Sequence, residues 1–284
     1  MRHRSRQLAA LAVAALFIAL AAVAYVDTTR PVERVNTERV TGISRELRIL
    51  HVADLHAMRF GAGQRDIERE LAGQAFDAIF ITGDLLTDRG GDRNAAFEFV
   101  DVLKRHSDAV LFVRGNHDGP DLAGALTARG VVVLDTGSVV RLGSGATRAT
   151  VVYADPAGLI NASVSVDTTL LVVAMHQPPD AATLAAARRI TRGTQVFLAG
   201  HTHGGQIRIP GIGAVRAPVR WQFGPIIGGS ADEWFPEWRG FPVMGIYRRG
   251  DQIVEITPGL GTTAVPVRLF DPAELTVLRL LPKP

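Results

Sequence analysis

Residues 200–206 have the sequence Gly200-His201-Thr202-His203-Gly204-Gly205-Gln206, which places two imidazoles two residues apart between glycines. The stretch directly follows the apolar run 196–199, which is typical of a buried strand. Glycine lets the backbone turn tightly and leaves room for an ion, and imidazole is the commonest metal-binding side chain. The stretch therefore predicts a metal site at the end of a strand.

Four further apolar runs end in polar residues of the same kind. Asp54 and His56 follow the run 49–53, and Asp84 follows the run 78–82. Asn116, His117 and Asp118 follow the run 110–114, and His176 follows the run 170–175. Short apolar runs separated by helical segments predict the buried strands of an α/β fold. In such folds the loops at the carboxyl ends of the strands line the site. We therefore expect these five loops to meet.

The order of these motifs resembles that of the calcineurin-like metallophosphoesterase superfamily. The matching motifs are Asp54-x-His56, Gly83-Asp84, Gly115-Asn116-His117-Asp118, His176 and Gly200-His201-x-His203. A later stretch, GLGTTAVPVR over residues 259–268, together with residues 204–206, is similar to bacterial members that carry an N-terminal export or anchor segment. The resemblance implies a four-layer α/β/β/α sandwich. The sequence alone indicates an α/β fold with a β-rich C-terminal half.

The resemblance also implies two divalent metal ions and assigns seven protein ligands to them. One ion would be held by Asp54, His56 and His203, the other by Asn116, His176 and His201, and Asp84 would bridge both. Two cations about 3.5–4 Å apart can offset the charge of a phosphate ester and generate hydroxide near neutral pH. Oxygen and nitrogen ligands suit Mn, Fe, Zn, Co or Mg without selecting among them. A thiolate site is excluded because the chain has no cysteine.

Catalytic roles follow from the same resemblance. His117 would be the general acid that protonates the leaving oxygen, and Asp118 would orient and charge its ring; a pair that merely stabilises the turn is the alternative. The family pattern Gly-Asp-x-x-Asp has its second carboxylate one residue late here, at Asp88, which is as well suited to cap a helix as to serve the site. His51 is expected to pack in its strand or to support the ligands from behind.

The N-terminus predicts a membrane anchor. Arg2, Arg4 and Arg6 precede an uncharged run over residues 8–26. As a helix this run spans roughly 28 Å, close to the hydrocarbon thickness of about 30 Å. The arginines favour a cytoplasmic N-terminus, hence a single-pass protein of the cell membrane with an extracytoplasmic catalytic domain. Cleavage after Ala24 is the alternative and would release that domain.

We therefore expect an anchor over residues 1–26, a polar tether over residues 27–46 and one phosphoesterase domain over residues 47–284. The formal charge of +3 comes from the three arginines of the first segment, so the remainder is neutral and nucleic acid is not expected as a partner. No obligate protein partner is indicated. The segment 220–243 holds all three tryptophans, Trp221, Trp234 and Trp238. We expect it to be a loop packed by its own aromatics, with a lid or a membrane-interface contact as the alternative.

The sequence thus predicts a metal-dependent hydrolase that cleaves phosphodiester or pyrophosphate bonds, of lipid or envelope substrates, by attack of a metal-bound hydroxide. One alternative is a pyrophosphatase acting on a UDP-2,3-diacylglucosamine type of substrate at the cytoplasmic side, which conflicts with the predicted topology. The other is a catalytically silent metal-binding protein of the same fold, which the complete set of ligands disfavours. No substrate-binding residue and no oligomeric state follow from the sequence.

Overall fold

Two β-sheets packed face to face form the centre of the molecule. A computed structural model describes residues 2–87, 92–134, 138–142, 149–153, 169–220, 230–263 and 265–283. Within these residues each of the two sheets has six strands, and two short hairpins lie beside them.

The first sheet carries the N-terminal motifs. Its strands are β1 (Val32–Val40), β2 (Leu47–Val52), β3 (Ala78–Ile81), β4 (Val110–Phe112), β5 (Val132–Val133) and β16 (Glu274–Pro282). Their order across the sheet is β1-β16-β2-β3-β4-β5. Strands β2 to β5 are parallel, whereas β16 runs antiparallel to β2 and parallel to β1. The carboxyl ends of β2, β3 and β4 therefore share one edge of the sheet.

The second sheet carries the later histidines. Its strands are β6 (Val139–Leu142), β7 (Ala149–Tyr153), β8 (Leu170–Ala174), β9 (Thr194–Ala199), β14 (Gly245–Arg249) and β15 (Gln252–Ile256). Their order is β14-β15-β9-β8-β7-β6, with β7, β8, β9 and β15 parallel. Between β9 and β14 lie two hairpins, β10 (Arg208–Ile209) with β11 (Gly213–Ala214) and β12 (Arg216–Arg220) with β13 (Ser230–Trp234).

Helices cover the outer faces of both sheets. They are α2 (Arg65–Glu70), α3 (Arg93–Leu103) and α4 (Pro120–Thr127) on the first sheet and α5 (Ala181–Ile190) on the second, after the N-terminal α1 (Arg2–Thr29). Phe99 of α3 joins a buried cluster with Ile79 of β3, and Leu184 of α5 joins one with Phe197 of β9. A third cluster fills the space between the sheets. The layer order is thus α/β/β/α, which confirms the expected fold.

Helix α3 begins at a side-chain cap. The Asp92 carboxylate accepts a hydrogen bond from the backbone N–H of Asn94 at 2.9 Å and so satisfies a donor that the first turn leaves without a partner. Asp88, whose role the sequence left open, lies outside the described residues.

The tether expected over residues 27–46 is wrong, because residues 32–40 form β1. This strand pairs with β16 along its whole length, from Val32 opposite Glu274 to Val40 opposite Pro282. An edge strand can carry several exposed polar side chains, so the polar composition of these residues suits a strand as well as a linker. Only two residues separate α1 from the sheet.

Helix α1 ends at the edge of the sheets where the motifs lie. Strand β1 starts opposite Glu274, and Thr276 of β16 lies opposite His51 near the carboxyl end of β2. Backbone hydrogen bonds tie the junction, since Ala273 N–H donates to the carbonyl of Asp27 at 2.8 Å. The apolar helix therefore leads directly to the side of the molecule where the strand-end loops meet.

Candidate metal centre

The loops after β2, β3, β4, β8 and β9 meet at one site between the two sheets. Their side chains form two buried groups with metal-binding chemistry, which are Asp54, His56 and His203, and Asp84, His176 and His201. Within each group the ligand atoms all lie within 4.8 Å of one another. The structure therefore brings six of the seven expected ligands together, and Asn116 joins them through a contact described below.

The first group consists of two imidazoles and one carboxylate. The Nε2 atoms of His56 and His203 lie 3.2 Å apart, and His203 Nε2 is 3.7 Å from Asp54 Oδ1. The other Asp54 oxygen accepts a hydrogen bond from the backbone N–H of His201 at 2.9 Å. One Asp54 oxygen is thus fixed by the protein, while the other points to the two imidazoles.

The second group is centred on His176. Its Nε2 atom lies 3.2 Å from Asp84 Oδ2, 3.1 Å from His201 Nδ1 and 2.9 Å from Asn116 Oδ1. Its Nδ1 atom is 2.8 Å from the carbonyl oxygen of Thr82. That contact fixes the ring with Nε2 towards the other ligands, an arrangement common for metal-binding histidines.

Asp84 belongs to the second group and also faces the first group. Its Oδ2 atom is 3.2 Å from His176 Nε2 and 3.7 Å from His56 Nε2, whereas Oδ1 accepts the backbone N–H of His117 at 2.9 Å. Asp84 Oδ2 and Asp54 Oδ1 are buried and have no hydrogen-bond partner among the described residues. A buried carboxylate oxygen without a donor is costly, and a cation held between these groups would compensate it. The residues present therefore fit two metal ions.

The protonation of the site follows from burial and from the two carboxylates. Burial lowers the pKa of His56 to about 4 and that of His203 well below its usual value. Burial also raises the pKa of Asp54 to about 7, and the charge of Asp84 adds to that increase. Burial opposes ionisation of Asp84 too, but the His176 ring, whose Nε2 atom lies 3.2 Å from Oδ2, and its charge outweigh burial and lower the pKa of Asp84 to about 2. His56 and His203 are thus neutral at pH 7, which is the form that binds metals.

Strained backbone accompanies the ligands. Asp54, His56, Asp84, His201 and His203 have positive φ angles of 53°, 47°, 54°, 70° and 55°. Few residues other than glycine adopt this left-handed conformation, and backbone strain of this kind costs of order 1–3 kcal/mol per residue. Such strain persists only where the surrounding structure enforces it, and it clusters at functional sites.

The glycines of two motifs allow the loops after β3 and β4 to touch. A Cβ atom on Gly115 would lie 2.1 Å from Asp84 Oδ1, and one on Gly83 would lie 2.5 Å from the backbone nitrogen of Gly115. Neither position tolerates a side chain without movement of the Asp84 loop. The glycine before each ligand therefore makes room for the carboxylate between the two groups.

His117 borders the site without joining either group. Its Nε2 atom lies 3.9 Å from Asp84 Oδ2, and its side chain is 28% exposed. Asp118 has other partners than those expected, because its carboxylate accepts backbone hydrogen bonds from Asp84 at 2.7 Å, Gly115 at 3.0 Å and Leu86 at 3.0 Å. Asp118 thus holds the loops after β3 and β4 together. Its action on the His117 ring stays a prediction.

His51 lies behind the second group and supports it. Sequence reasoning missed two further supporting residues, Glu255 and Arg268. The Nε2 atom of His51 is 2.8 Å from Thr82 Oγ1, and Thr82 in turn offers its carbonyl to His176. On its other side the Nδ1 atom of His51 contacts the carboxylate of Glu255 of β15, and both side chains are fully buried. This pair joins the two sheets. The signal in the sequence was an acidic residue within the apolar run of β15, at positions 252–256.

Arg268 is the second support that sequence reasoning missed. Its guanidinium is buried and donates to the carbonyls of Pro258 at 2.7 Å and Gly261 at 3.0 Å and to Asp271 Oδ2 at 3.2 Å. Burial lowers the pKa of Arg268, and burial raises that of Asp271 to about 6. Arg268 ends the motif over residues 259–268, so that motif shapes the loop beside Asp54.

A cavity of about 450 Å³ opens from the metal centre. The site residues Asp84, His117, His201 and His203 line it, and so do the apolar residues Ile207, Val215, Ala217, Pro218, Trp234 and Val265. Thr202, Gln206, Arg216 and Thr263 complete its polar lining, and the guanidinium carbon of Arg216 lies 5.7 Å from the ring centre of Trp234. A bound molecule would therefore meet both metal-binding and apolar side chains in one cavity.

Comparison with known proteins agrees with this geometry. The sequence model of the family described as calcineurin-like phosphoesterase matches residues 47–205, which is more than half of the chain. The chain belongs to the calcineurin-like phosphoesterase family. The chain is also similar to YkuE of Bacillus subtilis (strain 168), an uncharacterized metallophosphoesterase, with 29% identity over 114 residues. That match covers 40% of this chain and 32% of YkuE, so it spans about a third of the relative's length.

Membership of the calcineurin-like phosphoesterase family confirms the resemblance to the superfamily. The similarity of residues 204–206 and 259–268 to anchored bacterial members of the family stays a prediction.

The described part of the aromatic segment is packed by its own aromatics only in part. The rings of Phe235 and Trp238 stack with their centroids 5.6 Å apart. Trp234 and Trp238 are 61% and 69% exposed, and Phe241 is buried. Trp221 lies outside the described residues. The two described indoles thus lie at the surface, and one of them borders the cavity.

Proposed function

We propose that this chain is a two-metal phosphoesterase, fixed to the cell membrane by α1, that hydrolyses phosphodiester or pyrophosphate bonds of lipid or envelope substrates. The observation that carries the proposal is the position of Asp84 between two buried groups of metal-binding side chains. Two divalent cations, when bound there, would offset the charge of a phosphate ester and supply the nucleophile.

Each residue has a role in this proposal. Asp54, His56 and His203 would hold one ion, His176, His201 and Asn116 would hold the other, and Asp84 would serve both. The contact between His176 and the Thr82 carbonyl orients one imidazole, and the backbone N–H of His201 orients the Asp54 carboxylate. Substrate thus meets ligands whose positions are fixed before it binds.

His117 is the proposed general acid. It lines the cavity, belongs to neither ligand group and is partly exposed, so its ring can reach the leaving oxygen of a bound ester. Proton transfer from such a side chain typically contributes about 10²–10⁴-fold to the rate. Asp118 keeps the loop of His117 against that of Asp84 through its backbone hydrogen bonds.

The apolar lining of the cavity favours an amphiphilic substrate. Val215, Ala217, Pro218 and Val265 suit a hydrocarbon chain, and the site residues in the same cavity suit the phosphate. This lining supports a lipid-linked phosphoester.

Membrane attachment rests on α1. The helix is long and apolar enough over His3–Thr29 to cross a bilayer, and none of its most apolar window is buried against the protein. Arg2, Arg4 and Arg6 favour a cytoplasmic N-terminus and hence an extracytoplasmic site. A site on the cytoplasmic side would favour a UDP-2,3-diacylglucosamine type of substrate instead.

Hydrolysis by the purified full chain tests the activity directly. The chain, loaded with Mn²⁺, is assayed on phosphomonoesters, phosphodiesters and nucleotide-lipid pyrophosphates, with Asp84→Asn as the inactive control. We expect turnover of at least one diester or pyrophosphate, with loss in the variant. A chain that binds two ions and hydrolyses none of these substrates would be the silent binding protein.

A further inference from the structure

A group of exposed apolar side chains lies beside the cavity, and two of its members, Trp234 and Val265, also line it. Outside α1, nine large apolar side chains are substantially exposed among the described residues, and six of these lie in this group. They are Ile209 (40%), Trp234 (61%), Trp238 (69%), Val265 (46%), Val267 (37%) and Phe270 (41%), which we call the apolar rim. Clustered exposed apolar surface of this kind marks an interaction site, whereas single exposed residues are ordinary.

Hydrogen bonds hold the two segments of the rim side by side. The backbone N–H of Arg208 donates to the carbonyl of Leu269 at 2.9 Å, and Gln206 Nε2 donates to the carbonyl of Val265 at 2.7 Å. Residues 206–209 and 265–270 therefore form one surface.

The tryptophans join this surface through the hairpins. The guanidinium of Arg208 donates to Glu237 Oε1 at 2.8 Å, which draws the turn containing Trp238 towards β10. Trp234 pairs with Arg216 across β12 and β13 and lines the cavity together with Val265. The hydrogen bonds thus place the rim segments next to one another, and Trp234 and Val265 connect them to the cavity.

One exposed residue of the rim has a strained backbone. Phe270 has a φ angle of 55° and remains 41% exposed. A bulky side chain in this conformation is an outlier, and such strain persists only where neighbouring structure enforces it. The chain thus presents an aromatic ring to its surroundings at a conformational cost.

The rim adjoins the end of α1. The backbone N–H of Arg268, between two rim residues, donates to Thr28 Oγ1 at 2.8 Å. A second hydrogen bond connects the loop to α1, because the backbone N–H of Ala273 donates to the carbonyl of Asp27. The apolar surface of α1 and the apolar rim are therefore neighbours on one side of the molecule.

We propose that the apolar rim docks into the same bilayer that α1 spans, so that the cavity takes its phosphoester from the membrane surface. The inference rests on the membrane attachment in the proposed function and adds a second, reversible contact to it. Tryptophan is favoured at the membrane–water interface, and an apolar surface next to a spanning helix is brought to that interface without further ordering. The substrate is then a phosphate ester carried on a lipid, with its hydrocarbon part towards the apolar residues of the cavity.

Single cysteines test the docking without reference to activity. The chain has no cysteine, so Val267→Cys and Phe270→Cys each accept one nitroxide label, and Val132→Cys at the 41% exposed position in β5 serves as a matched control. The labelled full chains are reconstituted into vesicles of phosphatidylcholine with phosphatidylglycerol. We expect the two rim labels to be accessible to oxygen and protected from a water-soluble nickel complex, with the reverse for the control.

Rim labels that are as accessible to the nickel complex as the control would overturn the proposal, whether or not the chain is an enzyme. Rim labels that are protected in detergent as well, with spin–spin broadening between chains, would assign the rim to a second copy of this chain and also overturn it.

A second measurement keeps activity separate from docking. The variant Trp238→Ser/Val267→Ser/Phe270→Asn changes three rim residues that do not line the cavity. We expect kcat/KM on a phosphodiester lipid in vesicles to fall about tenfold or more, with turnover of bis-p-nitrophenyl phosphate in solution unchanged. Equal activity of variant and wild type on vesicles would contradict the inference. Absence of turnover by the wild type on both substrates would contradict the proposed function, and the label depths would still decide the docking.

Discussion

Replacing Asp84 by Asn tests whether one carboxylate serves both metal positions. The side chain is 1% exposed, and its Oδ2 atom lies between His176 and His56, one from each ligand group. Asparagine has nearly the same shape and keeps an oxygen that can accept the backbone N–H of His117. The substitution therefore removes one charge and leaves the loop in place.

The expected loss follows from the charge removed. Two unit charges 4 Å apart attract each other by about 4 kcal/mol at an effective dielectric constant of about 20. A divalent cation at that distance would lose about twice as much, and the remaining amide oxygen returns part of the loss. A net loss of about 4 kcal/mol for each ion weakens its binding by about a thousandfold.

Metal content and affinity can be measured on the same preparation. Wild type and Asp84→Asn are dialysed against a chelator buffer of known free Mn²⁺ and analysed by plasma mass spectrometry. Asp121→Asn is the matched control, because the Asp121 carboxylate is 62% exposed and pairs with Arg93. We expect about two ions per chain in the wild type and the control, with weakening at both positions in Asp84→Asn. Retention of two ions at wild-type affinity, or weakening at only one position, would refute the bridging role.

Four further predictions concern the acid, the backbone, the buried pair and the topology. His117→Ala should keep both metals yet lose about 10²–10⁴-fold in kcat, with the smallest loss for p-nitrophenyl esters; an equal loss for all leaving groups would indicate positioning instead. Ala57→Gly should raise the free energy of unfolding in urea by about 1 kcal/mol, because Ala57 has a φ angle of 57°; a decrease would contradict that origin of strain. Glu255→Leu should cost about 3–5 kcal/mol by leaving His51 buried without its partner, and His51→Leu in the same chain should restore most of it. A reporter fused after residue 284 should be active only outside the cytoplasm, and cytoplasmic activity would reverse the proposed orientation.

The placement of the candidate ligands at strand ends could be predicted from the sequence, whereas their assignment to two metal ions was implied by the resemblance to the family. Each of the five motifs follows a buried strand, and periodicity and composition are local signals. The glycines around Asp84 were also visible in the sequence, although their purpose appears only when Gly83 and Gly115 are seen in contact. Local pattern thus predicted where the site lies.

The supports of the site could not be predicted, since they depend on residues far apart in the sequence. Glu255 reaches His51 across 204 positions, and Arg268 reaches the carbonyl of His203 across 65. No periodicity marks such a pair. The left-handed backbone of Asp54 and Asp84 is likewise imposed by tertiary contacts, because neither residue type requires it.

The N-terminal strand was missed for a related reason. Residues 32–40 alternate poorly, and charged side chains within them indicated a linker. What makes them a strand is the free edge of β16, which supplies backbone partners along nine residue pairs. An edge strand with one exposed face needs little apolar content, so composition alone does not distinguish it from a tether.

The pairing of β1 with β16 also sets the order in which the chain can fold. During synthesis β1 emerges immediately after α1, yet its strand neighbour follows about 240 residues later, as Arg34 and Glu274 show. Until then β1 is an unpaired edge and β2 lacks the strand that separates it from β1, a state prone to wrong pairing. A chain interrupted before residue 274 would leave a gap inside the first sheet, next to the loop of Asp54, rather than a shortened end. Incomplete products should therefore be recognised and degraded as misfolded protein.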